Sequence, residues 1–504
     1  MARSAMRQSG GSSGVAGVIG RRNIRLAALL AITAGIAGLA SPARADDVAK
    51  DQAALEAANA ALNAKVDALE AKVERLEANQ AVTKAAVDAQ AELVRHDADS
   101  RSLSLSGQVP LTSGYDPTSG FVIQSADGAF SLRPGLVLDI RNMTTYRQSI
   151  ANTKGAGGEV AKTGDDTQNG FDLTRVRLTL AGHYTEAVDY FLQFQDDQGS
   201  SFGLLDAYLT YHFGSSPFSL KVGQWKDPVW HERNLSEANL LAVDRSLVEA
   251  LLGGGETGRI QGAALIYDHD RLRLQGVIHD GFNSINSKFF DSGGLGAGVG
   301  GGAGVTPTNF GVSARTEYLV LGDRNDKSHP FKQYDSGFTS LGNKQNLVIA
   351  GAGADFSQAG SNDVFFHTVD VQYNNTQGFS AYAAYLGAYR DLHANQGVKA
   401  GNYYDPGFLI QAAYLVTDKL EPFVRYDYTY LAGNSEASSL GVEDHSVQEY
   451  TIGANYYLYN QNLKLTLDAS WLPDGAPSDT DALGVLKDSG HNEYIVRAQF
   501  QLAL

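Results

Sequence analysis

The chain has 504 residues and no cysteine, which excludes disulfide bonds, thiolate metal sites and a cysteine nucleophile. Its 55 glycines and 24 tyrosines, at an average hydropathy, are typical of strands whose two faces differ and exclude a bundle of apolar membrane helices. Residues 1–45 contain six arginines and no acid, so the remainder has 34 basic and 56 acidic residues and a charge of −22. Such acidity argues against nucleic acid as a partner.

The start of the chain has the layout of a secretory signal peptide. Arg21 and Arg22 precede an apolar run over 26–40, and small residues suited to cleavage follow at 43–45. The apolar run is too short for a good membrane span. We therefore expect residues 1–45 to be removed on export, with a twin-arginine route as the weaker alternative to the ordinary one.

Residues 46–99 contain neither Gly nor Pro and carry a leucine every seven residues. Leu55, Leu62, Leu69 and Leu76 share one heptad position, and lysines face glutamates at the flanking positions. This pattern is typical of a parallel α-helical coiled coil, although polar residues in the seam weaken it. A lone amphipathic helix is the alternative, and the heptads do not distinguish a dimeric from a trimeric coiled coil.

Beyond residue 100 the sequence period changes from seven to two. Leucine and valine alternate with arginine and aspartate, for example over 130–147 and 171–182. Arginines within strands are difficult to place in a soluble core but fit the water-filled interior of a membrane barrel. We predict an all-β fold, a sixteen-stranded antiparallel transmembrane β-barrel over 130–504 that follows a linker at 100–129. The predicted strands begin near residues 130, 171, 188, 204, 218, 258, 271, 309, 346, 364, 379, 406, 420, 446, 463 and 492.

The connections between these strands alternate between short and long. Bacterial barrels have short periplasmic turns and longer external loops. Residues 321–345 break the alternation, because they are long where a short turn is due, and they leave the strand pairing there open. The predicted turns are 183–187, 215–217, 268–270, 376–378, 417–419 and 460–461, and the predicted loops are 149–170, 227–257, 282–308, 391–405, 432–445 and 473–490.

The connection over 227–257 is long and contains many apolar residues. Pro228 ends the preceding strand because proline cannot donate to a sheet ladder. From a candidate cap at Ser236, apolar residues such as Leu240 and Leu247 recur at helix-like spacing. An apolar loop of this length has to pack against something. We expect it to be partly helical and to fold into the barrel lumen.

Four segments resemble the phosphate-selective porin O/P family. They are 130–139 (FSLRPGLVLD), 175–182 (RVRLTLAG), 222–228 (VGQWKDP) and 236–246 (SEANLLAVDRS). The resemblance covers most of 121–504 and implies a homotrimer of sixteen-stranded barrels in outer-membrane lipid, each with a loop folded into the pore. It implies an outer-membrane porin for small hydrophilic solutes and ions, including phosphate. No cofactor and no metal are expected.

An N-terminal coiled coil before the barrel also occurs in porin-like proteins, where it resembles a periplasmic spacer or tether. The resemblance therefore makes peptidoglycan a candidate partner of the coiled coil. A general or cation-preferring porin whose coiled coil ties the outer membrane to the cell wall is the alternative to an anion-preferring channel.

The charges that face the lumen predict a weak preference for anions. The two-residue period places twelve basic and nine acidic residues on that face, an excess of three. Arg175 with Arg177, and Arg271 with Arg273, each put two guanidiniums on one face about 7 Å apart at a rise of about 3.4 Å per residue. A solvated wall without a filter is the alternative. The candidate pore-lining residues are Arg133, Arg141, Arg175, Arg177, Lys221, Arg271, Arg273 and Arg315.

The long loop adds a second set of charges at the predicted constriction. Its acids outnumber its arginines, so a loop that turned its carboxylates to the ion would favour cations. The candidate constriction residues are Lys226, Arg233, Asp244, Arg245 and Glu249.

An enzymatic function has little support in the sequence. His183, His212, His231 and His279 lie on separate segments without metal-ligand spacing, and no serine stands in a nucleophile elbow. Lipid hydrolysis at the outer face of the barrel stays a minor alternative.

Overall fold

The structure is a computed structural model. It describes residues 53, 56–76, 110–116, 120–153, 162–196, 202–253, 258–282, 284–286, 310–323, 330–359, 362–393, 401–432, 445–476, 483–486, 488–489 and 491–504.

The first of two units, Met1–Ser102, contains helix α1 over residues 56–76. Its apolar heptad side chains are exposed, from 40% at Val66 to 61% at Leu69. No helix in the described ranges is long and apolar enough to cross a membrane. The predicted signal peptide at 1–45 lies outside the described residues. Of the predicted coiled coil at 46–99, the structure describes residue 53 and residues 56–76, so the coiled coil stays a prediction.

The second unit, Leu103–Leu504, is a β-barrel that is preceded by a hairpin. Strands β1 (Leu111–Asp116) and β2 (Gly120–Ser125) pair with each other in the region predicted as a linker, and β2 adds to the next strand. The barrel strands are β3 (Phe130–Thr153), β4 (Lys162–Tyr184), β5 (Val188–Asp196), β6 (Phe202–His212), β7 (Phe218–Lys226), β8 (Arg259–His269), β9 (Leu272–His279), β10 (Phe310–Leu321), β11 (Leu347–Ala359), β12 (Asn362–Asn374), β13 (Phe379–Leu392), β14 (Gly401–Tyr414), β15 (Leu420–Leu431), β16 (His445–Tyr459), β17 (Leu463–Leu472) and β20 (Glu493–Ala503).

Each of these sixteen strands pairs antiparallel with its neighbours in the chain, and β20 closes the barrel on β3. The closing ladder runs from Glu493 opposite Arg147 to Ala503 opposite Val137. The predicted sixteen-stranded barrel is confirmed. A short ladder of β18 (Gly475–Ala476) and β19 (Asp488–Ser489) lies in the last long connection.

The two faces of the strands differ as the period of two requires. Outward positions are apolar and exposed, for example Ile452 and Val424, whereas the inward positions between them carry charges such as Arg425 and Glu449. Successive side chains of a strand point to opposite faces, so one face meets lipid and the other meets the lumen. The inward charges are nevertheless buried, which shows that the lumen is filled at these positions.

The strand ends correct two boundaries. Strand β4 begins at Lys162, whereas the sequence pattern places its start at 171, so much of the predicted loop 149–170 is strand. Strand β14 begins at Gly401 rather than near 406. Both extensions lack the alternation of apolar residues that marks a lipid-facing strand, so no period of two reveals them in the sequence.

The described parts of the connection between β10 and β11, residues 322–323 and 330–346, form a second inserted segment that enters from the turn end. Helix α3 (Pro330–Asp335) lies within it, and Phe331, Tyr334 and Phe338 are buried. Strands β10 and β11 pair directly, which settles the pairing that the sequence left open. At the other end, Ala359 pairs with Asn362, so β11 and β12 are joined by a tight connection on the loop side. The connection at the turn end, between β10 and β11, is therefore long, and the connection at the loop end, between β11 and β12, is short, which reverses the usual pattern.

The largest apolar core among the described residues lies inside the barrel. Val229, Trp230 and Leu241 from the loop after β7 pack with inward residues of β12 to β15, such as Phe366 and Leu409. Phe338 from the second inserted segment belongs to the same cluster. Burial of apolar surface against the barrel wall therefore holds both segments in the lumen.

Candidate functional site

The loop after β7, described over residues 227–253 and at 258, crosses the lumen and contacts opposite walls. The Trp230 indole N–H donates to the Tyr382 hydroxyl on β13 at 3.2 Å, and the Asp244 carboxylate reaches Arg141 on β3. We call residues 227–253, the part before the gap in the described residues, the inserted loop. Its turns are helix α2 (His231–Asn234), a 3₁₀ turn over Glu237–Asn239 and a π turn over Glu249–Gly253.

The inserted loop is partly helical, as the leucine spacing predicts, but its helical turns are short and separate. Ser236 does cap, but only the short 3₁₀ turn, by accepting from the Ala238 N–H at 3.4 Å. Wall side chains bind the loop backbone and replace helical hydrogen bonds: the Lys464 ammonium donates to the Leu240 carbonyl at 2.7 Å, and the Asp468 carboxylate accepts from the Val243 N–H at 2.9 Å. Asn455, Gln501 and Glu449 bind the loop backbone in the same way. The leucine pattern reflects packing against the wall and not an uninterrupted helix.

Asp244 is held by two arginines from neighbouring strands. Its carboxylate accepts from Arg141 on β3 at 2.5 and 3.1 Å and from Arg175 on β4 at 2.6 Å. Arg175 also contacts Asp139 at 3.1 Å. Burial alone would raise the pKa of Asp244, but the two guanidiniums outweigh burial and hold that pKa below its usual value. This carboxylate faces the wall and not a permeating ion.

Glu237 is the centre of a second cluster. It forms ion pairs with Arg177 on β4 and Arg245 of the loop, and the Lys226 ammonium lies 3.7 Å away. Burial opposes its ionisation, but the charges of Arg177 and Arg245 hold the pKa of Glu237 well below its usual range. Lys226 donates to the Leu235 carbonyl at 2.8 Å, so it also serves to fold the loop.

The other loop charges are also occupied. Arg233 donates to Glu249 at 2.6 Å, and Arg245 binds the carbonyls of Glu232, Arg233 and Leu235 besides Glu237. Glu232 accepts from the N–H and hydroxyl of Ser246, at 3.0 and 2.7 Å. These acidic side chains are therefore held by hydrogen bonds and ion pairs that fold the loop, and they are not directed at the pore axis.

The remaining candidate pore residues fall into two groups. Arg273 binds Glu317 and the exposed Asp335 of the second inserted segment. The buried Arg315 binds Glu317, Asp370, the Val229 carbonyl and the Tyr334 hydroxyl of the same segment, so both arginines belong to ion networks that hold this segment. Arg271 lies in the tight turn before β9 and donates to the carbonyls of Leu319, Val320 and Gly322. Arg133 is exposed near the start of β3. The pair Arg271 and Arg273 therefore does not form one site.

The excess of positive charge that the sequence predicts for the lumen face is not found among the buried side chains of the strands. Asp355, Asp405 and Glu493 also face inward, and a simple period of two from the apolar positions missed them. Within the described barrel strands, ten buried side chains are basic (Arg141, Arg147, Arg175, Arg177, Arg259, Arg315, Arg390, Arg425, Lys464, Arg497) and eleven are acidic (Asp139, Asp206, Glu317, Asp355, Asp370, Asp405, Glu421, Asp427, Glu449, Asp468, Glu493). Selectivity must then depend on individual groups that are not already paired.

Lys221 on β7 is such a group. Its ammonium lies 3.8 Å from the centre of the Tyr208 ring and 5.0 Å from that of Trp225, and within the described residues it has no carboxylate at ion-pair distance. The nearby carboxylate of Asp206 is held by Arg259 through two hydrogen bonds of 3.0 Å. Lys221 therefore keeps an uncompensated positive charge on the lumen face.

Two cavities of 180 and 330 Å³ meet at this lysine, and both are also lined by Trp225, Lys226 and Asn234. The Trp225 indole N–H is buried and has no hydrogen-bond partner in the described part of the chain. An ammonium and an N–H donor without acceptors thus border the same space between the wall and the inserted loop. The sequence marked Trp225 only as part of a family motif, and no local pattern distinguishes it as a donor.

The fold and these contacts agree with what the comparison of sequences finds. The sequence pattern of the family described as phosphate-selective porin O and P matches residues 157–503, from before β4 to the end of β20. The chain belongs to this family. No curated protein matches the sequence.

Solved structures similar to this porin are outer-membrane channels at low sequence identity. An anion-selective porin from Comamonas acidovorans has a TM-score of 0.48 at 13% identity, with 74% of this chain and 100% of that chain covered. DcaP of Acinetobacter baumannii has 0.45 at 14% identity, with 75% and 99% covered. OmpF of Salmonella typhi has 0.45 at 14% identity, with 78% and 100% covered. The assignment rests on the family match and on the closed barrel.

This porin is therefore an outer-membrane channel for the diffusion of small solutes. A sixteen-stranded barrel is wide enough to enclose an aqueous lumen. The two inserted segments occupy much of that lumen and leave the cavities beside β4 to β10, where both polar and apolar side chains border the space.

Proposed function

We propose that this porin prefers small anions, including phosphate, and that Lys221 is the residue that decides the preference. The single observation that carries the proposal is the uncompensated ammonium of Lys221 at the junction of the two lumen cavities. A charge near a constriction with low-dielectric walls counts more than distant charges.

Pairing of the other charges supports this assignment. Asp244 and Glu237 are neutralised by Arg141, Arg175 and Arg177, so the inserted loop adds no free carboxylate there. The Trp225 N–H offers a second donor to an anion near Lys221. Arg175 and Arg177 keep a secondary role, since each guanidinium is already bound to a carboxylate.

The reversal potential in a salt gradient tests the proposal. Lys221→Gln should reduce the ratio of anion to cation permeability several-fold, whereas Lys419→Gln, in an exposed tight turn, should leave it unchanged. Trp225→Phe should weaken anion preference less, because it removes a neutral donor only. An unmodified channel that prefers cations, or an unchanged ratio in Lys221→Gln, would contradict the proposal.

We also propose that the porin is a trimer and that residues 46–99 form a coiled coil, which adds stability to the trimer and reaches toward peptidoglycan. The exposed apolar face of α1, with Leu62, Leu69 and Leu76, supports self-association of this helix. Mass measurement of the protein shortened to start near Arg101 tests the trimer, and a monomer would mean that the coiled coil drives assembly. Envelope integrity after deletion of 46–99 tests the tether.

We propose a channel without an enzymatic activity. His231, the most deeply buried of the candidate histidines, stacks on Tyr334 at 3.6 Å between ring centres and serves the packing of the two inserted segments. An assay for lipid hydrolysis by the purified porin, with heat-inactivated protein as control, tests this point.

A further inference from the structure

Two aromatic side chains of the barrel wall face the lumen and stay partly exposed. Phe191 on β5 lies opposite Tyr208 on β6, and both rings border the smaller of the two cavities that meet at Lys221. Their ring centres are 5.1 Å apart and their planes differ by 15°, so the rings are stacked. Phe366 and Tyr382, which also face inward, are instead buried in the apolar core that holds the inserted loop. The stacked pair therefore presents apolar surface to the cavity.

The neighbouring wall positions carry no side chain that is large enough to cover these rings. Ala181 on β4 lies opposite Phe191, and Gly223 on β7 lies opposite Tyr208. Gly223 has a φ of +130°, and a Cβ added there would meet the Ala207 carbonyl oxygen at 2.2 Å. A larger residue at this position would therefore strain the β6–β7 ladder. The ring pair stays open toward the lumen on both sides.

The apolar surface continues along the wall beyond the ring pair. Trp225 on β7 belongs to a small apolar cluster of the wall, and Tyr208 and Ile266 pack at the margin of that cluster. Trp225 and Ile266 also border the larger cavity. An apolar strip therefore extends from β5 to β8 and borders both cavities.

A positive charge lies over this strip. The Lys221 ammonium is 3.8 Å from the centre of the Tyr208 ring, and no carboxylate of the described residues is at ion-pair distance from it. The two acids that border the smaller cavity, Asp206 and Glu237, are each paired with arginine. The cavity thus combines an apolar surface with a cation that can still bind an anionic group.

Amide groups that border the smaller cavity are used within the protein. The Gln193 amide donates to the Thr179 hydroxyl at 3.2 Å. The Asn234 amide donates to the carbonyls of Asp227 and Trp230 at 3.1 and 2.9 Å. A sugar needs a hydrogen-bond partner for each hydroxyl group that leaves water, whereas an aromatic ring needs only apolar surface. The lining therefore favours a flat apolar ring over a sugar.

We propose that these cavities bind anionic solutes that carry one aromatic ring, with the ring on Phe191 and Tyr208 and the carboxylate on the Lys221 ammonium. The inference rests on the anion preference proposed above and names the class of anion that the channel holds. Stacking of rings and a charged hydrogen bond stabilise the two ends of such a solute at once. The cavities of 180 and 330 Å³ together fall within the range of small-molecule sites, about 300–1,000 Å³.

Block of the single-channel current of the full-length mature porin in potassium chloride tests the site. Benzoate combines the ring with the charge, acetate has only the charge, and benzyl alcohol has only the ring. Benzoate should interrupt the current at concentrations about tenfold lower than either of the other two probes. This comparison uses the unmodified porin, so it does not depend on the folding of a variant. Equal block by benzoate and acetate would overturn the proposal.

Substitution of one ring assigns the block to the strip. Phe191→Leu keeps every charge of the lumen and should weaken the block by benzoate about tenfold, with no change in the block by acetate or in the reversal potential. Phe194→Leu is the matched control, because Phe194 lies on the outer face of the same strand and stacks on the exposed Phe202. Tyr208→Phe keeps the ring and should retain the block. A conducting Phe191→Leu channel with unchanged block by benzoate would contradict the assignment.

Glucose 6-phosphate and inorganic phosphate test the alternative ligand, a sugar phosphate. Block by glucose 6-phosphate that is stronger than block by inorganic phosphate and depends on Phe191 would assign the strip to sugars and overturn the proposal. Equal block by these two probes supports it. The selectivity proposed above is measured with potassium and chloride alone. A channel that prefers anions but shows no additional block by benzoate would therefore overturn this inference and leave the role of Lys221 in selectivity intact.

Discussion

The inserted loop meets two different walls inside one barrel. Toward β3, β4, β16, β17 and β20 it is bound mainly by arginines, carboxylates and amide groups, with Asp244 and Glu237 at the centres. A smaller apolar contact on this side joins Leu247 and Leu251 to Val447, Leu472 and Ile495. Toward β12 to β15 it presents Val229, Trp230 and Leu241 to apolar side chains. The first wall fixes where each loop atom lies, because charged hydrogen bonds are directional. The second supplies most of the free energy of docking, since apolar burial is favourable whereas buried ion pairs are largely offset by desolvation.

Truncation on the apolar side should have the largest effect. Trp230→Ala removes a fully buried indole and should weaken docking of the loop by about 3–5 kcal/mol, through lost burial and the cavity left behind. The free energy of loop opening, from hydrogen exchange of 227–253, measures this change. Trp471→Ala, on the exposed outer face of β17, should leave loop opening unchanged. Equal effects of the two changes would show that the loop does not depend on the apolar wall.

Removal of charge on the polar side should cost less in stability and show more in selectivity. Asp244→Asn should weaken docking by about 1.5–3 kcal/mol, because it replaces charged hydrogen bonds with neutral ones. It also leaves Arg141 and Arg175 with excess positive charge, so the reversal potential should move toward anions. Glu249→Gln is the control, since its partner Arg233 belongs to the loop itself. Shifts of equal size in both variants would contradict the role assigned to the wall arginines.

Acid should act on the polar side alone. The pKa values of Asp244 and Glu237 are lower in the docked loop than in a detached one, because their arginine partners outweigh the cost of burial. The stability that these two carboxylates contribute is present above about pH 4 and is lost as the pH falls through the lowered pKa values. Each tenfold difference in proton affinity between the docked and the detached loop corresponds to about 1.4 kcal/mol of docking free energy. Protonation of these two carboxylates should therefore affect conductance and loop exchange only in strong acid. Loss of docking already near pH 5 would contradict this ordering.

The smallest effect concerns a single neutral hydrogen bond next to the apolar wall. Thr368→Val keeps the shape of the side chain but removes the donor to the Val229 carbonyl, and should weaken docking by about 0.5–1.5 kcal/mol. Hydrogen exchange of the loop has the sensitivity for this change. Thr429→Val is matched to it, because the Thr429 hydroxyl has no hydrogen-bond partner among the described residues and its loss should be neutral or stabilising. A larger effect of the second change than of the first would reverse this assignment.

The sequence predicts the barrel because the features that mark each strand depend on residues that are close together in the chain. Alternation at every second residue reports which face meets lipid, and Pro228 reports where a strand has to stop. The second inserted segment has no such mark: Phe331, Tyr334 and Phe338 are isolated apolar residues without a period. The partners of Asp244 are unpredictable for a different reason, since Arg141 is 103 positions away and only folding of the loop into the lumen brings the two together.

The helical structure of the loop is limited to short turns, and local spacing cannot predict this because it says nothing about other groups that bind the backbone. Lys464 and Asp468, more than 200 positions later in the chain, bind loop carbonyl and N–H groups that a helix would use. Selectivity is predicted least well. A count of inward charges assumes that each charge is free, whereas most are paired. Lys221 differs from the paired charges only because no carboxylate of the described ranges lies at ion-pair distance from it, and a sequence pattern does not report this.

The inserted loop also spans the seam at which the barrel closes. Asp244 binds Arg141 on β3 while the neighbouring Val243 binds Asp468 on β17, and Gln501 of β20 donates to Ala238. The two ends of the barrel chain are thus joined twice, by the β3–β20 ladder and by the loop across it. Ladder contacts between residues that are more than 300 positions apart form slowly, because the chain between them must first be ordered. A loop that already binds β3 and β4 presents the last strands with a preformed surface, so seating of the loop and closure of the barrel become a single cooperative step of assembly.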